Sequence, residues 1–120
     1  MRGVTVILAE PAPARLRAAL SLAAAVAATG GRARLFLHED AVTLFASPLS
    51  SPADARRSGA GLPTLAQLFE EALAMPVEVI LCQSGLAMAG MALGQLDPRI
   101  TTGGLIGVVA AAGDDRLVLA

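Results

Sequence analysis

The chain has 120 residues, 55% of them hydrophobic and 16% charged, and a formal net charge of −1. That length supports one domain with a sizeable core and is too short for two, so a single domain over residues 1–120 is expected. The near-neutral balance leaves no electrostatic footprint for nucleic acid or an anionic membrane, and a basic complement made only of arginine excludes lysine Schiff-base chemistry.

Val4 to Ala9 is a short, nearly continuous apolar run that suits a central strand buried on both faces. Pro11 and Pro13 break it. Ala14 to Ala28 then places Leu16, Ala19, Leu20, Ala23, Val26 and Ala27 at helical spacing, closed by Thr29-Gly30-Gly31. Arg32 to Leu37 reads as a second strand, and strand–helix–strand order implies parallel strands joined by a right-handed crossover. The first turn lacks the glycine-rich and Walker patterns that cradle phosphate.

His38-Glu39-Asp40-Ala41-Val42 opens a short turn of helix reaching about Phe45. Ala46 to Pro63, rich in Ser, Pro, Gly and Ala and carrying Arg56 and Arg57, reads as a long loop of the mobile or functional kind. Thr64-Leu65-Ala66-Gln67 matches a capping box before a helix with Leu65, Leu68, Phe69, Ala72 and Leu73 on its apolar face. Pro76 ends it. Val77 to Cys82 is a third buried strand, followed by a turn and a helix of small apolar residues through Leu96 that carries no charge on any face. Leu105 to Ala112 fits either a buried strand or a glycine-weakened helix, and Leu117-Val118-Leu119 a terminal strand.

Cys82 is the sole cysteine, so no internal disulfide can form. With no basic-then-apolar leader at the start, a reducing cytoplasm is expected. The longest uncharged window, Val79 to Leu96, only reaches the lower limit of a membrane span. It contains Gln83, Ser84 and Gln95 and begins as a strand, so no membrane partner is expected. Three phenylalanines as the only aromatics argue against base stacking, and no nucleic-acid partner is expected either.

The candidate chemical groups are Cys82, His38 with Glu39 and Asp40, and the loop arginines. Residues just past strand C-termini of a parallel sheet gather at one edge, where ligands bind. Cys82 and His38 both hold such positions, and His38 could activate the thiol or relay its proton. Cys82 also precedes a helix N-terminus, whose free N–H groups favour a thiolate. Against this, a lone cysteine in an apolar chain is commonly a small core residue, and a histidine in a turn is commonly solvated. Glu39 and Asp40, being adjacent, face different ways and suit a helix N-terminus better than acid–base work. No metal-ligand spacing appears.

The order of elements and several local motifs resemble the DsrE/DsrF-like family, which includes the sulfur-relay TusD subunit. The resemblance covers nearly the whole chain. It rests on Arg34-Leu35-Phe36-Leu37-His38-Glu39-Asp40-Ala41-Val42, on Ser47-Pro48, on Cys82 with Gly90 eight residues later, and on Asp115-Arg116-Leu117-Val118-Leu119. It implies a three-layer α/β/α domain with a mainly parallel five-stranded sheet, and a helix over Leu105 to Ala112. It also implies that Cys82 carries sulfur as a persulfide between a donor and an acceptor protein, without cofactor or metal, in trimers or hexamers. Family members with relay-type motifs carry arginine just before the glycine, where this chain has Met88-Ala89, and there is no second cysteine near Cys82.

Two other functions are compatible with the same residues. One is a non-catalytic oligomeric binding or scaffold protein whose relay site has decayed; the other is a redox-sensing thiol. Independently of the family, a helix over Leu86 to Leu96 that is apolar all round must be buried all round, which a domain this small achieves only in a homo-oligomer.

Overall fold

In the computed structural model, which describes residues 1–120, five parallel strands form one sheet in the order β4-β3-β2-β1-β5. The strands are β1 (Val4–Leu8), β2 (Ala33–Leu37), β3 (Glu78–Cys82), β4 (Thr101–Gly103) and β5 (Arg116–Leu119). Helices α1 (Pro13–Ala28), α2 (Asp54–Gly59), α3 (Leu65–Ala74), α4 (Gln83–Ala89) and α5 (Leu105–Ala111) flank it. The expected α/β/α architecture is present, and the sheet is parallel throughout.

The three central strands are the apolar runs of the sequence, and burial on both faces is why they do not alternate. All five residues of β2 are buried. Helix α1 starts with Pro13 at its first turn, where no N–H is needed, and lays Leu16, Ala19, Leu20 and Ala23 on the sheet. It stops where the Thr29 hydroxyl donates back to the Val26 carbonyl (2.9 Å) and Gly30 takes a left-handed φ of 92°. The capping box before α3 forms in both directions: the Gln67 amide donates to Thr64 Oγ1 at 3.2 Å and the Thr64 amide to Gln67 Oε1 at 2.9 Å.

The segment is helical over Leu105–Ala111, as the family resemblance implied, and Arg34 donates to its Val108 carbonyl at 2.8 Å. Arg34 is 5% exposed on β2. It also donates to Thr5 Oγ1 (3.0 Å), which donates on to Asp115 Oδ2 (3.2 Å), and Asp115 receives Arg32 at 2.8 Å. This chain of polar groups pins α5 and the start of β5 to β1 and β2.

Two expectations need correcting, and one strand is unannounced in the sequence. The continuous helix to Leu96 does not exist: α4 ends at Ala89, because Gly90 turns left-handed (φ 66°), and only a short 3-10 turn, Leu93–Gln95, follows. Within the single chain Met88 is 83% and Leu93 63% exposed, whereas Met91 packs on the core. The loop from Ala46 to Pro63 contains α2, held by Asp54, whose carboxylate accepts the amides of Leu65 (3.0 Å) and Ser51 (2.9 Å). Those two amides hold its carboxyl below the usual range. The fifth strand, Thr101–Gly103, has no apolar run to announce it and pairs with the last three residues of β3.

Arg99 clamps the segment before β4 to α3, bonding Asp97 Oδ2 at 2.6 Å and both Glu70 oxygens at 2.7 and 2.8 Å. Its guanidinium brings the Asp97 carboxyl down to about 2. A carboxyl lowered by folding stabilises the fold fully above its unfolded value, about 3.9, and loses that contribution as pH falls through the folded value. Titration of Asp97 by NMR should therefore give a midpoint near 2, and Arg99→Ala should return it towards the ordinary carboxylate range; an unchanged midpoint would contradict the clamp.

Candidate functional site

The β2–β3 register builds the site. Leu35 pairs with Val79, Phe36 with Ile80 and Leu37 with Leu81, so the next step sets His38 beside Cys82 at the C-terminal edge of the sheet. Both side chains follow Phe36 and Ile80 with the strand period of two and share their face. The His38 ring lies 5.9 Å from the Phe36 ring, tilted by 39°. Its backbone is fixed on both sides: the amide donates to the Leu8 carbonyl at 2.8 Å and the carbonyl accepts from Ala41 at 3.1 Å.

Cys82 is 4% exposed and caps α4, its Sγ receiving the Gly85 amide at 3.5 Å. It is thus both a strand-end thiol at a helix N-terminus and a residue of the core. His38 is half-buried, with Nδ1 wholly enclosed and without a hydrogen-bond partner. One ring nitrogen of His38, a carboxylate oxygen of Glu39 and Cys82 Sγ lie within 4.8 Å of one another.

Glu39 is the residue that sequence reasoning set aside. Adjacent carboxylates do diverge, and both Glu39 and Asp40 occupy the first turn of a 3-10 helix, Glu39–Phe45. Glu39, however, has a left-handed φ of 51°, and a carboxylate oxygen within 4.8 Å of the sulfur. A non-glycine residue seldom adopts this conformation, and no sequence signal marks it. Its carboxylate repels negative charge developing on the thiol, whereas a proton-accepting imidazole assists it. Arg56 and Arg57 lie in the last turn of α2, not at the strand ends.

Gly85 makes the arrangement possible. A Cβ there would stand 2.9 Å from the Glu39 carbonyl carbon and closer still to its oxygen, so α4 seats directly on the Glu39 backbone. A separate apolar groove of about 340 Å³, lined by Phe45, Pro48, Leu49 and Phe69 with Ser47 at its rim, includes neither Cys82 nor His38. No helix is long and apolar enough to cross a membrane.

The model of the DsrE/DsrF-like family matches residues 2–119. Two solved structures share the fold. The YchN protein from E. coli has 22% identity and a TM-score of 0.70, with 99% of this chain and 98% of that one covered. MTH1491, a protein of unknown function from Methanobacterium thermoautotrophicum, has 13% identity and a TM-score of 0.72, with both chains covered completely. No curated protein matches the sequence.

The close seat predicts that Gly85→Ala destabilises the protein by about 1–3 kcal/mol, the range for forcing a methyl into packed structure. Urea denaturation measures it. Gly94→Ala, where an added Cβ meets nothing, is the control and should cost far less.

Proposed function

The chain belongs to the DsrE/DsrF-like family, and from that membership together with the position of Cys82 we propose that it is a sulfur carrier working through a Cys82 persulfide in a reducing compartment. The observation that carries the reading is the pairing of the family's strand-end cysteine with a histidine brought beside it by strand register.

In the proposed reaction the Cys82 thiol passes its proton to the His38 imidazole, and the sulfur attacks the outer sulfur of a donor persulfide, R–S–SH. The donor's S–S bond breaks and R–S⁻ leaves, taking up the proton, so that the chain holds Cys82–S–SH. Attack by an acceptor thiol on the outer sulfur restores the Cys82 thiol. Sulfur is exchanged between thiols with no net oxidation, and neither cofactor nor metal enters. The Gly85 amide, on Sγ before the reactant enters, favours loss of the thiol proton.

Incubation with a persulfide donor should add one sulfur, about 32 Da, to the intact mass, reversibly with dithiothreitol and not in Cys82→Ser; the modification is reversible at this rung of thiol oxidation. A native protein whose thiol takes up no sulfur and resists alkylation would overturn the proposal. It would favour the non-catalytic scaffold, to which the Glu39 carboxylate beside Cys82 and Met88-Ala89 in place of the family's cation lend weight.

The working form we propose is a homo-oligomer, a trimer or hexamer as in the family. A parallel sheet requires cover on both faces, yet β5 leaves Leu117 and Leu119 exposed, and α5 exposes Leu105, Ile106 and Val109. Ile106, 88% exposed, is the most exposed of these five apolar residues, which together exceed what scattered surface positions need. Light scattering should show an assembly that Ile106→Glu dissociates; a monomeric unmodified protein at micromolar concentration would contradict it.

A further inference from the structure

We propose that His38, Glu39 and Cys82 form a binding site for a zinc-class divalent cation, whose occupancy masks the thiol. The three residues come from the ends of two neighbouring strands, and each offers one ligand atom within 4.8 Å of the others. In a tetrahedral zinc site, bonds of about 2.0–2.3 Å place ligand atoms roughly 3.5 Å apart. Closing from the observed separations takes about 1 Å, within reach of the Glu39 side chain, which is exposed at its end of the cluster.

The donor set selects the ion. A thiolate and an imidazole are poor ligands for magnesium and calcium, which take oxygen, and good ones for zinc and its neighbours. Charge closes as well: a dication, the Cys82 thiolate and the Glu39 carboxylate sum to zero around a neutral imidazole. That is the condition under which a largely enclosed site tolerates the ion. The same carboxylate that opposes an unaccompanied thiolate thus assists a metal-bound one. On binding, the Cys82 thiol loses its proton to water and its sulfur lone pair goes to the metal, with no change of oxidation state.

A second observation is independent of the cysteine. His38 Nδ1 is enclosed and has no hydrogen-bond partner, an arrangement that is costly for a buried polar atom. A metal ligated at that nitrogen would remove the deficit. Three protein ligands leave a fourth position, which water or a small external thiol would complete.

The site does not rest on sulfur transfer, and its test needs no sulfur donor. Cobalt(II) added to the reduced protein should bind one ion per chain with a thiolate-to-cobalt charge-transfer band, which zinc(II) then displaces. Cys82→Ser should abolish the band, and His38→Ala and Glu39→Gln should each weaken cobalt binding by tenfold or more. Zinc should slow alkylation of Cys82 in the unmodified protein and have at least tenfold less effect in His38→Ala. Absence of the band in the unmodified protein would overturn the proposal. So would equal affinity in the His38 and Glu39 variants, since that would mean a thiol binding metal unaided. Persulfide uptake, read by mass, stands or falls separately.

Discussion

Parallel pairing of β2 with β3 sets Leu37 opposite Leu81 and so brings His38 alongside Cys82, although the two are far apart in sequence. A slip of one residue in that register would move every side chain of one strand to the other face and part the histidine from the sulfur. Register is held because both strands are buried on both sides, with Leu35, Phe36, Leu37, Val79, Ile80 and Leu81 all in the core. The chemical site is therefore a by-product of hydrophobic packing, fixed before any polar contact at the site is considered.

This explains which features were legible in the sequence. Val4–Leu8, Ala33–Leu37 and Glu78–Cys82 announce themselves as apolar runs, and the helices with strong periodicity or a capping box follow. Cys82 and His38 were legible as strand-end residues for the same reason. Glu39 was not, because a left-handed φ at a non-glycine residue leaves no local signature. Strand Thr101–Gly103 was hidden by its length of three residues, and α2 by a composition that resembles a loop. The supposed long helix to Leu96 failed on Gly90: an apolar pattern continued past a residue that had already turned the backbone.

The far end of the sheet is held differently. Arg34, Thr5, Asp115 and Arg32 form a connected polar chain beneath α5, in which every link is a hydrogen bond of 2.8–3.2 Å. Strand β5 and helix α5 contribute few buried apolar residues, Val108 being the only one within α5. Their attachment is thus directional more than hydrophobic, and removing Arg34 leaves the buried Val108 carbonyl without that donor, which costs more than the bond itself gained. Among its buried side-chain atoms, the Arg34 Nε alone lacks a hydrogen-bond partner.

The Gly85 amide has a role beyond capping. It donates to the Cys82 sulfur while its Cα presses on the Glu39 backbone, so the N–H is shielded by the same two elements that enclose the thiol. Exposing the sulfur to a protein-sized reactant requires α4 to lift from Glu39, and that motion breaks the N–H···S contact. Local openings of this kind are what release amide protons to solvent. The deuterium exchange rate of this one amide is therefore a clock for access to the sulfur, readable without any chemistry being performed on it.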